Sequence, residues 1–422
     1  MSVAKEDFAK YLKSRRGLSD EKRGKTSSEV IDAEVHVQEL RRVHGAVPVL
    51  FDPRDMIERD GERFLNISYV KPVQVADEVG EWGEKFPWIA KFLDTFFDPP
   101  EQLPYFLAWE KRFYGGAVTG SCPRGHTVFV VGPPSSGKTL LGLRIIGALV
   151  GGSADASDYV IKQSEFNKNL AEKALWRIDD GQVAADPSLH KKFCEMVKKL
   201  AANPTLNYRK MYSDALNNEW SGRLYITLND DNYSLQMIPD LDMSIEDKIM
   251  IFKAAPRDPN YFPPAHILEP MIQAELPHYA RWLLEWKPPA HVNGSNRFGV
   301  RSYIHDGVRT AAMHSGQIGD LIDLIELWIK RSSPIETFGE TWKGSASEWW
   351  TEVAKDDALK PLIQKLSVKA IGRKFVDAAR IPGSRIKVLA KNNHGHRYSI
   401  DLNGSDASQI NKKHFDPATD KV

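Results

Sequence analysis

The stretch that decides the fold is HTVFVVGPPSSGKT, residues 126–139. Its first half is an apolar, β-branched run, which predicts a buried strand. Its second half, Gly132 to Thr139, matches the pattern G-x-x-x-x-G-K-[ST] of a phosphate-binding loop. The following residues, LLGLRIIGALVGG, predict a helix that ends at Gly151 and Gly152. A strand before the loop and a helix after it are the context in which this motif binds a nucleotide, and a chance glycine-rich turn is the alternative.

The loop residues predict how the nucleotide is held. Backbone N–H groups at the start of the helix are expected to surround the β-phosphate. Lys138 is expected to neutralise phosphate oxygens, and the Thr139 hydroxyl to bind Mg²⁺, so ATP and Mg²⁺ are the predicted cofactors. The predicted binding residues are Gly132, Pro133, Pro134, Ser135, Ser136, Gly137, Lys138 and Thr139.

Two more strand-like runs end in polar residues that suit nucleotide hydrolysis. ALWRIDD supplies Asp179 for the Mg²⁺–water network and Asp180 as the base for the attacking water. RLYITLND supplies Asn229, which we assign to orienting the lytic water or contacting the γ-phosphate. The predicted catalytic set is therefore Lys138, Asp179, Asp180 and Asn229. Solvated loop acids and an asparagine that only satisfies backbone groups are the alternatives.

Strand-like runs alternate with helical stretches between about residues 121 and 260. The strand-like runs include DYVIKQS, ALWRIDD, RLYITLND and KIMIFKA, and SLHKKFCEMVKKLAA is a helical stretch. This alternation predicts an α/β fold with a P-loop ATPase core and a mostly parallel, AAA+-like sheet. The expected division is an N-terminal extension, partly flexible (1–60), a helical lead-in (61–120), the core (121–260), a helical region (261–335), a winged-helix-like module (340–402) and a disordered tail (403–422).

Composition narrows the class of protein. The 422 residues carry 57 Lys plus Arg against 56 Asp plus Glu, so no global field favours nucleic acid or a membrane. Cys122 and Cys194 are the only cysteines, which excludes a disulfide framework and a cysteine-based zinc cluster. No secretory signal or long apolar run is visible in the sequence, so we expect a cytoplasmic protein without a membrane partner, in the host cell if it is viral.

Three ordered segments carry a resemblance to a known family: GPPSSGKT, then ALWRIDD, then LYITLNDDNYSLQMIPDLDMSIEDKIMIF. Together they resemble superfamily 3 helicases, and more closely the helicase part of poxvirus-type primase-helicases of viruses and phages. ERFLNISYVKP upstream, and AELPHYARWLLEWKPP with NRFGVRSYIH downstream, extend the resemblance over about residues 60–310.

The resemblance implies a ring-forming ATPase, usually a homo-hexamer, that translocates on single-stranded DNA during replication. No primase signature is visible in the first hundred residues, so a separate primase or polymerase is the expected partner. In this family, basic residues between the second acid and the sensor asparagine grip the strand in the pore. The matching positions are Lys198, Lys199, Arg209 and Lys210, with Tyr208 placed to stack on a base. A solvated helix face is the alternative.

Two positions depart from the family pattern. The second acid is usually Glu, whereas this chain has Asp180. Where members tend to carry an Arg pair that serves the neighbouring subunit's nucleotide, this chain has only Lys248, a point charge without the planar fork of arginine. Arg257, Arg297 and Arg301 are the alternatives for that role, and slow or partner-dependent hydrolysis stays open.

The C-terminal stretch adds a local basic field. Residues 367–400 contain eight basic side chains and one acid, Asp377. SVKAIGRKFVDAARI predicts a helix that offers Arg373, Lys374 and Arg380 to phosphates, and RIKVLAKNNHGHRYSIDL predicts two strands around a turn. This order is typical of a winged-helix module on duplex origin DNA, and a basic surface without DNA is the alternative.

Four functions remain open from the sequence. A replicative DNA helicase of a virus, phage or mobile element explains the nucleotide motifs and both basic regions. An RNA helicase of the same superfamily differs only in its strand, because backbone contacts dominate both. A packaging or partition motor would need nuclease carboxylates or partner-docking segments, which the sequence lacks. A nucleotide-gated DNA-binding regulator is favoured if hydrolysis is negligible.

Overall fold

The computed structural model describes residues 5–24, 27–40, 43–68, 70–121, 123–161, 164, 167–180, 187–209, 216–239, 241, 244–258, 260–294, 297–315, 317–364, 366–379, 384–389 and 396–403. The chain begins with two helices, α1 (Lys5–Arg16) and α2 (Glu29–Leu40), and a small sheet of β1 (Gly45–Val47), β2 (Met56–Arg59) and β3 (Glu62–Asn66). β3 is the central strand, parallel to β1 and antiparallel to β2.

Asn66, from the upstream segment of the family resemblance, fixes the end of this small sheet. Its side-chain oxygen accepts hydrogen bonds from the amides of Val49 and Ser68, both at 3.0 Å. Its side-chain nitrogen donates to the carbonyls of Val49 and Asp52, at 3.2 and 3.0 Å. The buried amide is fully satisfied by backbone, so its role here is structural.

Two helices lead into the core. α3 (Pro87–Phe96) begins with proline at its first position and buries Phe92, Leu93 and Phe96 among other apolar residues. A 3₁₀ turn (Pro100–Gln102) joins it to α4 (Leu103–Thr119), which ends at Gly120 in the left-handed conformation.

The core alternates strands and helices, as the sequence predicted. Its elements are β4 (Thr127–Val131), α5 (Lys138–Leu140), a π-helical segment (Leu141–Ile146), α6 (Gly147–Leu149), β5 (Ser153–Asp155), α7 (Ser157–Val160), α8 (Lys168–Ala171), β6 (Leu175–Asp179), α9 (Pro187–Ala202), β7 (Thr205–Tyr208), β8 (Leu216–Glu219), β9 (Arg223–Leu228), α10 (Asn232–Leu235) and β10 (Ile249–Lys253).

Five of these strands form one all-parallel sheet in the order β10-β4-β9-β6-β5, and β7 pairs with β8 in a separate antiparallel hairpin. β4 and β9 are buried along their whole length, as expected for strands covered on both faces. Val128 and Val130 pack with α3 and α4, whereas Phe129 packs on the other face with residues of α9. The predicted α/β fold with a parallel sheet is confirmed.

One predicted strand is wrong. DYVIKQS was expected to be a strand, but Asp158 to Val160 lie in α7. The second core strand is instead the short β5, which ends just before a turn in which the Asp155 carboxylate accepts the Ser157 amide at 2.9 Å. That side-chain bond starts the helix where the apolar run suggested a strand.

After the sheet, the chain is helical: α11 (Ala265–Glu285), a 3₁₀ turn (Ala290–Val292) and α12 (Asp306–Ser315). In α11, Glu275 is buried, and its carboxylate accepts the amides of Trp88 and Ile89 at 3.0 and 2.8 Å. These are orphan donors of the first turn of α3, whose own N-cap residue, Phe86, makes no side-chain bond. Glu275 therefore caps α3 from a distant part of the chain.

The C-terminal unit has its own core. Its elements are α13 (Gln317–Ser332), α14 (Pro334–Phe338), β11 (Thr341–Gly344), α15 (Ala346–Val353), α16 (Lys360–Ile363), α17 (Val368–Ala378), β12 (Ile386–Val388) and β13 (Tyr398–Asp401). The strands form an antiparallel sheet in the order β11-β13-β12. Trp328 of α13 packs edge-on against Trp342 and Trp349. Because α13 supplies part of this core, the unit begins near residue 317, ahead of the boundary at 340 expected from the sequence. Of the expected tail, residues 404–422 lie outside the described part of the chain.

Within the described residues, no helix combines the length and the apolar character that crossing a bilayer requires.

Candidate active site

The sheet order brings the predicted nucleotide residues to one edge. β9 lies between β4 and β6, and all three strands are parallel. The phosphate loop follows β4, Asn229 follows β9, and Asp179 ends β6. Because the carboxyl ends of parallel strands meet at one edge, segments far apart in sequence become neighbours here.

The phosphate loop needs glycine at its last turn. Ser135 and Gly137 both have left-handed backbone, with φ of 61° and 97°. A Cβ atom on Gly137 would lie 2.9 Å from ring carbons of both Phe92 and Phe262. Only glycine tolerates that conformation and that crowding, which explains the second glycine of the motif.

Lys138 is held at the centre of the site. Its Nζ donates to the carbonyls of Gly132 and Pro133 at 2.7 and 2.8 Å, and to the side-chain oxygen of Asn229 at 3.3 Å. Burial lowers the pKa of Lys138, and the nearby carboxylates of Asp180 and Asp230 oppose that shift. Lys138 and Asn229, 91 residues apart, are therefore in direct contact.

The two acids at the end of β6 differ in environment. Asp179 is half-buried; its carboxylate pairs with Arg177 and accepts the Thr227 hydroxyl at 3.4 Å. Asp180 is exposed, has φ of 45°, and donates its backbone N–H to Thr227 Oγ1 at 3.2 Å. Such a conformation in a residue other than glycine is typical of functional sites. Thr227 thus positions both acids.

Sequence reasoning missed the supporting residues. Thr227 and Arg177 touch the acids, and the buried Tyr225 donates its O–H to the Lys138 carbonyl at 2.8 Å. The sequence does contain a signal for two of them, because Arg177 and Thr227 are polar residues inside otherwise largely apolar strands, LWRID and RLYITL.

The residues present fit a magnesium nucleotide. The Ser136 hydroxyl is fully buried and has no hydrogen-bond partner among the described residues. A phosphate oxygen bound in the loop would accept a hydrogen bond from it. Thr139 is exposed at the start of the helix. In the described part of the chain, no group of three His, Cys, Asp or Glu side chains is arranged to hold a metal ion. A Mg²⁺ ion here would rely on phosphate oxygens and water, with Thr139 and Asp179.

The predicted pore residues divide between α9 and the β7–β8 hairpin. Lys198 and Lys199 are half-buried on α9, and Lys198 Nζ donates to Ser244. Arg209 is exposed where the chain leaves β7. Tyr208 is only 4% exposed, so its ring is not available to stack on a base, and that assignment is corrected. Lys210 lies outside the described residues.

The C-terminal basic field is weaker than the sequence count indicates. Arg385 forms an ion pair with Glu326 at 2.9 Å, and Arg397 lies 3.7 Å from Glu348. Both acids lie outside the stretch 367–400. On α17, Arg373 is exposed and Lys374 is half-buried, while Arg380 lies outside the described residues.

Comparisons with known proteins place the fold. No protein-family model and no curated protein matches the sequence. The chain is similar to the solved apo structure of the NrS-1 C-terminal region, with a TM-score of 0.52 at 12% identity, covering 90% of this chain and 92% of that one. Two structures of JCV helicase also match, with TM-scores of 0.27 and 0.26 over 52% and 56% of this chain, values too low to carry an argument.

At 12% identity the NrS-1 match shows the fold alone. It covers 90% of this chain. Together with the five-stranded parallel sheet, it confirms the predicted α/β fold with a mostly parallel sheet.

Proposed function

We propose that this protein is an ATP-dependent helicase that assembles as a homo-hexameric ring. It translocates on single-stranded DNA during replication of a virus, phage or mobile element. Lys138 binds the phosphates, Thr139 and Asp179 hold Mg²⁺, Asp180 acts as the base, and Asn229 senses the γ-phosphate. Its partner in replication is a separate primase or polymerase.

One observation carries the proposal: Lys138 Nζ lies 3.3 Å from Asn229 Oδ1, with Asp179 and Asp180 on the strand beyond. A phosphate-binding loop alone serves many nucleotide-binding proteins. A polar residue on the strand between the loop and the acids gives the site a contact that responds to the γ-phosphate. This is what coupling hydrolysis to movement requires.

The β7–β8 hairpin supports a nucleic-acid substrate. It lies in the sequence between β6 and β9, and Arg209, which follows β7, is exposed. Because β9 joins the hairpin to Asn229, a change at Asn229 on γ-phosphate loss is transmitted along β9 toward the hairpin. Arg209 supplies a phosphate contact that does not depend on sequence.

ATP turnover with and without single-stranded DNA tests the proposal. The wild-type protein should hydrolyse ATP faster with single-stranded DNA than without it. Lys138→Ala should abolish turnover and leave the fold intact, whereas Lys287→Ala, which removes an exposed lysine after α11, should behave as wild type. Arg209→Ala should reduce the DNA stimulation and spare basal turnover.

The other outcomes separate the remaining functions. Equal stimulation by single-stranded RNA would favour an RNA helicase. Nucleotide binding without turnover would favour a nucleotide-gated regulator. Wild-type turnover in Lys138→Ala would contradict the assignment of the loop.

A further inference from the structure

Arg257, four residues after β10, joins the phosphate loop to α3. Its Nε donates to the Ser136 carbonyl in the loop at 3.2 Å. Its two terminal nitrogens donate to α3, one to Thr95 Oγ1 at 2.9 Å and the other to the Phe92 carbonyl at 2.8 Å. One side chain thus connects the turn of the loop with a helix about 40 residues earlier in the chain.

Aromatic rings hold the guanidinium in place. Its central carbon lies 4.0 Å from the centre of the Tyr261 ring and 4.9 Å from that of Phe92. Burial lowers the pKa of Arg257, but a guanidinium titrates far above neutrality and keeps its charge. The fork is therefore a fixed, charged group within the site.

The helix to which Arg257 is bonded is itself anchored at both ends. The Glu275 carboxylate accepts two amides of its first turn. At its last turn, the Phe96 carbonyl accepts the Ala255 amide at 2.7 Å, two residues before Arg257. Arg257 therefore links the loop to a rigid support.

Peptide geometry then sets the direction of one loop amide. The Ser136 carbonyl and the Gly137 N–H belong to one planar, trans peptide, so they point in opposite directions. By holding the carbonyl on the α3 side, Arg257 turns the Gly137 N–H toward the open side of the loop. Resting on the proposed function, we propose that Arg257 is a positioning residue that pre-orients this amide for the β-phosphate.

This assignment removes Arg257 from the candidates for serving a neighbouring subunit. Its Nε and both terminal nitrogens donate within its own chain. Arg297 lies 3.8 Å from Asp247, and Arg301 is exposed. The candidates that the sequence offered for the neighbouring site are then Lys248, Arg297 and Arg301.

Nucleotide affinity and steady-state kinetics test the proposal on the full-length protein. Arg257→Ala should raise the Kd for ADP and the KM for ATP by about tenfold or more, because a charge-assisted bond that fixes a phosphate donor is lost. Since the contact to the β-phosphate exists in both ground and transition states, kcat should change much less. Arg257→Lys should recover little, because one ammonium cannot reproduce the planar fork.

Two further variants complete the test: a partial loss of the Arg257 contacts and a control elsewhere. Thr95→Val removes one of the three acceptors while keeping the side-chain shape, and it should raise the Kd for ADP by about two- to threefold. Arg144→Ala removes an arginine of the helical segment after the loop, which forms an exposed ion pair with Glu269. It should leave the Kd for ADP unchanged.

The outcomes separate this inference from the proposed function. A role limited to stability would lower kcat through loss of folded protein and leave KM unchanged, which would overturn the inference. An ADP affinity equal to that of wild type in Arg257→Ala would also overturn it, even if the wild type is an active ATPase. A wild-type protein that does not bind ADP would instead refute the proposed function, and the inference with it.

Discussion

A buried carboxyl group in α4 gives the protein a pH-dependent stability that can be tested directly. Glu110 of α4 is about 1% exposed, and one of its oxygens accepts the O–H of Tyr279 in α11. Its other oxygen is buried without a hydrogen-bond partner among the described residues. Burial raises the pKa of Glu110 from 4.5 to about 8, which the bond from Tyr279 only partly opposes. Glu110 is therefore neutral in the folded protein at pH 7.

The sign of the effect follows from proton binding. Between pH 4.5 and about 8 the folded state keeps a proton that the unfolded state releases. The free energy of unfolding therefore falls as pH rises through this range. At about 1.4 kcal/mol for each pKa unit, the loss amounts to about 5 kcal/mol above pH 8 and about 3 kcal/mol at pH 7.

A second buried group acts in the opposite direction. Burial lowers the pKa of His126 to about 3, so the unfolded state binds the extra proton between about pH 3 and pH 6.5. Stability then rises with pH in that window. The two groups offset one another over part of the acidic range, and the fall due to Glu110 is most visible above pH 6.5.

Glu110→Gln isolates the carboxyl group. The amide keeps the shape and the acceptor for Tyr279 but does not ionise, so the variant should match wild type at about pH 4 and exceed its stability by a few kcal/mol at about pH 8. Urea unfolding followed by tryptophan fluorescence across this range measures the difference, in which the His126 effect cancels. The exposed Glu336→Gln is the control and should follow wild type. Parallel curves for wild type and Glu110→Gln would refute the reasoning.

Two further predictions concern the acids and the C-terminal unit. Asp180→Asn should trap bound ATP because it removes the base and keeps the side-chain shape. Asp179→Asn should instead lower activity because it weakens the binding of Mg²⁺. ATP turnover measured against Mg²⁺ concentration separates the two variants, and wild-type kinetics in both would mean that β6 does not supply the catalytic acids. A fragment of about residues 317–403 should bind duplex DNA with an affinity that falls steeply as the salt concentration rises. The double variant Arg373→Ala, Lys374→Ala should weaken this binding equally on DNA of any sequence. A loss of binding confined to one DNA sequence would indicate base contacts instead.

Local patterns were enough to predict four of the five strands of the parallel sheet. β4, β9 and β10 are runs of β-branched and aromatic residues, and such strands are recognisable wherever both faces are covered. Short elements were not recognisable in this way. β5 has only three residues, and the stronger apolar run that follows it, DYVIKQS, led to a strand being predicted where helix α7 lies. A side-chain turn at Asp155 decided between the two.

The same limit explains the error at Tyr208. Along β7, Leu206 and Tyr208 face inward, and Asn207 and the following Arg209 face outward. This alternation has the period of a strand, so recognition of β7 would have predicted a buried tyrosine and an exposed arginine. Four residues are too few for this pattern to stand out, so the basic residues around it favour a loop instead.

The phosphate loop itself was predicted from eight residues, but what holds it was not. Tyr225 supports the Lys138 carbonyl from β9, and Arg257 supports the Ser136 carbonyl from the segment after β10. A Cβ atom on Gly132 would lie 2.8 Å from the Ala254 carbonyl, so the first glycine is required by a residue just after β10, more than 100 residues away. The motif specifies a backbone that packs closely against whatever surrounds it. In this chain Tyr225, Ala254 and Arg257 are the surrounding residues, and they decide how firmly the backbone of the loop is held.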